Sequence, residues 1–265
     1  MPKLSHPIIY SAEVQVSKIL AAHQPNFLPY LGFFDKLSKA DIFVIRDDVL
    51  FIKRDFHNRN KIRVNSNDNQ NNPQFTWIGV PVEEKEDYLK NIQIKQGFRG
   101  KREWKEQLLH DIKTSYQHSQ YFKEHFQTLE KIIQNPGQSL LELNTRLLNF
   151  LTNRMEIPLP EIILASELKL KPDNYIKSDP SQDLVDICKK IGADVYLSGN
   201  GARDYIDAQL FQKSGIELKF QDFKHPSYQQ AFPGFLPNMS ALDALFCAGK
   251  YPVHENTEKL ITSLY

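Results

Sequence analysis

Apolar residues in this chain fall in short runs, each closed by a polar cluster, and the runs change period along the sequence. Lys18 to Ala22 reads as a short buried strand that stops at His23-Gln24-Pro25-Asn26, where Pro25 removes a backbone donor and breaks the ladder. Tyr30 to Lys39 places Leu31, Phe34 and Leu37 at helical spacing with polar residues between. Asp41 then leads into Ile42-Phe43-Val44-Ile45, a second strand ending near Asp47-Asp48. Val64 to Pro73 has no apolar residue after Val64 and reads as an exposed loop or hairpin tip. Phe75 to Val82 looks like a strand, and Ile92 and Ile94 alternate as in a shorter one.

From about Arg102 to Glu156 the pattern turns helical. Trp104, Leu108, Ile112 and Tyr116 recur every four residues, Leu129, Ile132 and Ile133 follow a break near His118-Ser119, and Pro136-Gly137 separates them from Leu140 to Met155. Beyond this, Ile162 to Ala165 reads as a strand, Gln182 to Ile191 as a helix, Val195 to Leu197 as a strand, Ala208 to Ser214 as the end of a helix and Ile216 to Phe220 as a strand. Such alternation indicates a parallel sheet. The expected fold is α/β, a mostly parallel Rossmann-like sheet with a helical insertion. Residues 1–100 form the first half of the α/β domain, 101–158 the inserted helical subdomain, and 159–265 the second half.

Composition narrows the classes. With 33 Lys and Arg against 32 Asp and Glu there is no global basic field, which argues against a dedicated DNA binder but not against a local phosphate site. There is no apolar run of 18 residues, and the amino-terminal stretch lacks the layout of a signal peptide, so we expect a cytoplasmic protein without membrane insertion. Cys188 and Cys247 both sit in apolar-periodic settings and read as buried free thiols.

In open parallel sheets ligands bind at the carboxyl ends of strands, and both His23/Gln24/Asn26 and Asp47/Asp48 fall at such ends. Phe51 to Lys61 follows at once with Lys53, Arg54, Arg59 and Lys61, a set suited to clamping a phosphate or equally to a solvated surface loop. Ser198-Gly199-Asn200-Gly201 follows a strand, so its backbone either approaches a ligand closely or makes a tight strand-helix turn. Tyr205 or Asp207 just beyond would reach a sugar hydroxyl or amino group. His225 to Phe235 is an aromatic, amide and proline loop containing Tyr228; it suits stacking against a sugar or base, or a rigid lid packed on its own domain. Ser240 with Asp243 reads as a helix start. The histidines show no HxxxH or HxH pairing, so a protein-only metal site would have to come from His23, Asp47 and Asp48, and a phosphate-bound Mg²⁺ held by Asp47 or Asp48 is easier to accept. No GxSxG elbow is present.

The blocks HQPNFLPYLGFFDKL, DDVLFIKRDFHNRNKI, WIGVPV, YLSGNGARDYID and SALDALFCAG together resemble the WbqC-like family, in family order over roughly residues 18 to 250. The resemblance implies a setting in bacterial O-antigen and other surface-polysaccharide assembly, and for some members transfer of glycine or another aminoacyl group to an amino sugar. On that reading His23, with Asp47 and Asp48, is catalytic. His23 would be the general base, and Asn26, Asn58 or Asn60 would donate to the oxyanion. Asp47 or Asp48 would hold an amino group, and Lys53, Arg54 and Arg59 the phosphates of a nucleotide-activated sugar or aminoacyl donor. Gln24, Tyr30, Ser198, Gly199, Gly201, Tyr205 and Tyr228 complete the expected substrate contacts. Two alternatives stand beside it. One is a nucleotidyltransferase or ATP-dependent ligase, although Tyr30 stands where a second HxGH-type histidine would be expected; the other is a non-catalytic partner in a biosynthetic complex.

Overall fold

Short strands buried on both faces must be apolar almost throughout, and three such runs, Ile19–His23, Ile42–Ile45 and Val195–Ser198, form the centre of the sheet. The computed structural model describes residues 17–65, 73–83, 86–99, 102–170 and 179–252; the amino-terminal stretch and most of the 64–73 hairpin tip read from the sequence lie outside them. In chain order the elements are β1 (Ile19–His23), α1 (Leu31–Ser38), β2 (Ile42–Ile45), β3 (Arg59–Val64), β4 (Gln74–Gly79), β5 (Phe98–Arg99), β6 (Arg102–Glu103), α2 (Trp104–Tyr116), α3 (Phe122–Gln134), α4 (Leu140–Arg154), β7 (Glu161–Leu164), α5 (Pro180–Ile191), β8 (Val195–Ser198), α6 (Ala208–Lys213), β9 (Glu217–Phe220) and α7 (Ala241–Ala248).

The central sheet has the order β7-β2-β1-β8-β9, and every pairing in it is parallel. The chain builds outward from β1 through β2 to β7, then returns to the other side of β1 for β8 and β9. The order therefore reverses between β1 and β8, the place where doubly wound sheets open a ligand crevice at their carboxyl ends. This is the Rossmann-like α/β fold expected from the alternation of strands and helices.

Because successive strand residues point to opposite faces, the sheet carries two cores. Ala21, Phe43, Ile45 and Leu197 face α1, the three helices α2–α4 and α7. Leu20, Ala22, Val44 and Tyr196 face α5 and α6, including Val185, Cys188 and Phe211. Helix ends follow local chemistry: Asp179 caps the Ser181 and Gln182 amides ahead of Pro180, Gly192 closes α5 at φ 70°, and Asp207 caps α6. Ser240 caps α7 as expected, but Asp243 is fully buried and accepts from the Tyr116 hydroxyl (2.9 Å), the Tyr228 hydroxyl (2.8 Å) and the Gln230 amide (2.8 Å).

Two elements differ from the sequence reading. The basic stretch after Asn58 is strand β3, paired antiparallel with β4 in a separate two-stranded sheet, with Lys61 opposite Trp77. Around Ile92 and Ile94 there is a single 3₁₀ turn at Leu89–Asn91 and isolated bridges, Val82 with Ile94 and Gln93 with Ser139, rather than a strand. Cys188 is buried and Cys247 half-buried; both are free thiols. No helix among the described residues is long and apolar enough to cross a membrane.

Candidate functional site

The β1 and β8 ends open into a cleft of about 820 Å³ at the switch point. His23 and Gln24 leave β1 on one side, and Ser198, Gly199 and Gly201 leave β8 on the other. Tyr30 and Lys36 come from α1 and its approach, Arg46 from the end of β2, Asp183 from α5, and Gln221 from just after β9. Tyr205 stands at the mouth, 65% exposed.

Lys36 is the unexpected member. It sits at a position that the helical pattern assigns to solvent, yet it is only 5% exposed, and its Nζ donates to the Ala22 carbonyl at 2.9 Å. Among the described residues no carboxylate pairs with it. Burial alone lowers its pKa from 10.5 to about 7, so at neutral pH a substantial fraction is free amine. A methyl on Gly199 would come within 3.9 Å of the Lys36 nitrogen, which places the exit of β8 alongside it. Arg46 shows the contrast: it is equally buried, but binds both oxygens of Asp48 (2.7 and 3.2 Å) and reaches Asp183 at 3.2 Å.

His23 lies half-buried beside Lys36, its ring edge-on to Phe33 at 4.9 Å between centroids. Its Nδ1 lies 3.0 Å from the Gln24 carbonyl. A carbonyl only accepts, so Nδ1 carries the proton and Nε2 the lone pair. Burial, then the Lys36 charge, lower its pKa to about 3, so the ring is neutral at physiological pH.

The turn that presents these groups is fastened from outside the cleft. Leu28 adopts φ 45°, a left-handed conformation unfavourable for leucine, and the Asn60 amide holds it by donating to the Phe27 (3.1 Å) and Leu28 (2.7 Å) carbonyls. Asn144 donates to the Pro25 and His57 carbonyls (3.0 and 2.8 Å). The Ile52 amide donates to His57 Nδ1 at 3.2 Å, and His57 Nε2 donates to Gln24 Oε1 at 2.8 Å, which orients Gln24.

Of the residues expected from sequence, the cleft gathers His23, Gln24, Tyr30, Ser198, Gly199, Gly201 and Tyr205. The others are used elsewhere. Asp47 is 1% exposed and accepts from the Ser166 amide (2.9 Å) and hydroxyl (2.6 Å), tying β2 to the turn after β7. Asp48 is paired with Arg46. Asn58 donates to the Val80 carbonyl at 2.8 Å, and Asn26 borders a small cavity beside Asn144 and Thr145. Tyr228 belongs to the buried Asp243 network, and Arg63, fully buried, donates to the Phe232, Pro233 and Gly234 carbonyls, so the aromatic loop packs on its own domain. Asp207 is spent on capping α6. Lys53, Arg54 and Arg59 line a different groove. No group of three His, Cys, Asp or Glu side chains gathers as a metal site among the described residues, and neither Asp47 nor Asp48 lines the cleft to hold a phosphate-bound Mg²⁺.

Sequence reading missed Lys36, Arg46, Asp183 and Gln221. The first two lie within the block that drew attention, but nothing in a linear pattern signals that a lysine between apolar helix positions turns inward. Asp183 and Gln221 arrive from more than 130 residues away through the sheet.

Chemically, the cleft offers a near-neutral amine, a neutral imidazole with a free lone pair, a paired guanidinium and a glycine-lined wall. No solved structure matches the chain. It is 29% identical over 234 residues to Rv1507c of Mycobacterium tuberculosis, an uncharacterized protein, covering 88% of this chain and 94% of that one. The WbqC-like protein family matches residues 24–255, nearly the whole length, and the chain belongs to that family.

Proposed function

We propose that the protein is a cytoplasmic transferase of bacterial surface-polysaccharide assembly that moves an aminoacyl group, glycyl in the simplest case, from a nucleotide-linked donor to the amine of an amino sugar. The observation that carries the reading is Lys36, a buried amine at the switch point with no carboxylate partner among the described residues. A base matched to the working pH is the most effective one, and an amine near 7 meets that condition better than an imidazole held near 3. The role expected of His23 therefore passes to Lys36. His23 Nε2 accepts a hydrogen bond from the acceptor and orients it.

In this mechanism the acceptor amine attacks the donor's acyl carbonyl while neutral Lys36 takes its proton. The tetrahedral intermediate collapses, the new amide forms, and the ester oxygen of the donor leaves with the proton returned by Lys36. Arg46, held by Asp48 and Asp183, supplies a fixed positive charge in the wall, and the Gly199–Gly201 segment lets substrate approach the backbone. The polysaccharide setting comes from the family resemblance.

The test is mass-spectrometric detection of the aminoacylated amino sugar, with glycyl-RNA and UDP-amino sugars as trial substrates. Lys36→Met is expected to lose turnover by at least about a hundredfold, the range general bases supply. Full turnover in Lys36→Met would sink the mechanism. The strand order supports a second reading, ATP-dependent activation of a small acid, because sheets of this order hold nucleotides at the same crevice; pyrophosphate release from ATP would decide for it. Partner binding without ligand or turnover would point to a non-catalytic role.

A further inference from the structure

The sequence placed Lys53, Arg54 and Arg59 with His23; the structure puts them across a wall from it. They line an open groove of about 1070 Å³ together with Lys95 and one carboxylate, Glu83. The loop between β2 and β3 is the shared wall, for Asp55 borders the cleft while Lys53 and Arg54 border the groove. Arg59, the first residue of β3, belongs both to the groove lining and to the β3–β4 hairpin. There the Arg59 guanidinium lies 4.1 Å over the Trp77 ring, and the Lys61 ammonium is 4.9 Å from the Phe75 ring and 5.3 Å from Trp77. Phe56 packs 5.6 Å from Trp77, yet Phe56 and Phe75 remain 37% and 43% exposed.

Arg54, Arg59, Lys61 and Lys95 have no carboxylate partner among the described residues. Arg59 is held by stacking and by donating to the Arg54 carbonyl, and its buried Nε has no hydrogen-bond partner among the described residues. Arg54 itself adopts φ 68°, a strained conformation for a side-chain-bearing residue and one that persists where the surroundings enforce it. An ordinary surface hairpin pairs its cations with acids and covers its aromatics. Here Arg59 and Lys61 lie over Trp77 and Phe75, and Arg54 and Lys95 line the adjoining groove, with no carboxylate partner for any of the four among the described residues; cations beside exposed aromatic rings are the composition that binds a phosphodiester backbone and stacks unpaired bases. A second copy of this chain would bring like charges together. A single nucleotide would use only part of the strip.

We propose that this groove and hairpin face dock the single-stranded end of an RNA that carries the aminoacyl donor, delivering the ester across the shared loop to Lys36. The inference rests on the transferase reading and names its donor.

The experiment is fluorescence anisotropy with a labelled single-stranded RNA of about 12 nucleotides, within the length one such platform covers. Four cations predict a salt slope of about −2.8 on logarithmic axes, hence about 50-fold weaker binding at 200 mM than at 50 mM salt. Arg54→Ala/Arg59→Ala should halve that slope and weaken binding at low salt, with an unchanged melting temperature; Lys36→Met should bind as wild type. Absence of RNA binding, equal binding by the double variant, or displacement by equimolar UDP would overturn the proposal, the last by reducing the face to a mononucleotide site. A dimer broken by Phe75→Glu, with no RNA binding, would overturn it as well. Lys36-dependent turnover with no RNA binding strikes this inference alone, whereas RNA binding without turnover strikes the reading of the cleft.

Discussion

Lys36→Met should make the protein more stable, and the gain should depend on pH. Keeping an ammonium charged where it gives up its proton near 7 instead of 10.5 costs at most about 5 kcal/mol. Methionine nearly matches the stem's volume and removes that cost, but leaves the Ala22 carbonyl without its donor, a loss of about 1–2 kcal/mol. The net expectation is a gain of about 2–4 kcal/mol at pH 6. The sign follows from proton counts. Below about 7 both folded and unfolded states hold the Lys36 proton and the penalty is complete. Between 7 and 10.5 the unfolded chain keeps the proton that the folded chain has lost, so wild-type stability climbs with pH and the advantage of Lys36→Met shrinks. Urea unfolding of both proteins at pH 6 and pH 9.5 reads this directly. A variant less stable than wild type at pH 6, or a difference that does not change with pH, would refute the claim that Lys36 is an uncompensated buried charge kept for chemistry.

The other predictions separate site from scaffold. Asp243→Ala strands three buried donors and should cost about 3–5 kcal/mol in urea unfolding, with Tyr228→Phe costing about 1.5–3 kcal/mol. Asp47→Asn keeps an oxygen for the Ser166 amide but meets the Ser166 hydroxyl with a neutral donor in place of a charged acceptor, and should lose about 1 kcal/mol while Lys36-dependent turnover stays intact, the opposite of what a catalytic carboxylate would show. A methyl at Gly32 would lie 2.4 Å from the Tyr30 ring and must push it aside. Gly32→Ala should therefore lower turnover at least about tenfold while α1, which gains about 1 kcal/mol in helix propensity, holds the melting temperature.

How much the sequence reveals depends on which force sets each feature. The parallel sheet is legible because strands covered on both faces need unbroken apolar runs, as in Ile42–Ile45, and the helices because Trp104 to Tyr116 carries the apolar period and Pro180 to Ile191 carries period and caps together. Strand β3 is not legible: Arg59, Lys61 and Arg63 look like loop residues until Trp77 and Phe75 stack beneath two of them and backbone carbonyls surround the third. In the site, a polar residue at a strand end serves equally well to fasten a loop or to meet a ligand. Asn58, Asn60 and Asp47 do the first and Gln24 lines the cleft, a difference set by hydrogen-bond partners 20 to 120 residues away. Lys36 was hidden for a related reason, since burial is a property of the assembled sheet.

The proposed chemistry depends on the protonation state of one amine, so the most direct test is an NMR titration of ε-labelled lysine, with the Lys36 signal assigned by its loss in Lys36→Met. A buried Lys36 base should show a midpoint near 7 and turnover that rises over the same pH range. A midpoint near the ordinary 10.5 would contradict it, leaving Lys36 a charged structural residue and the cleft without its base.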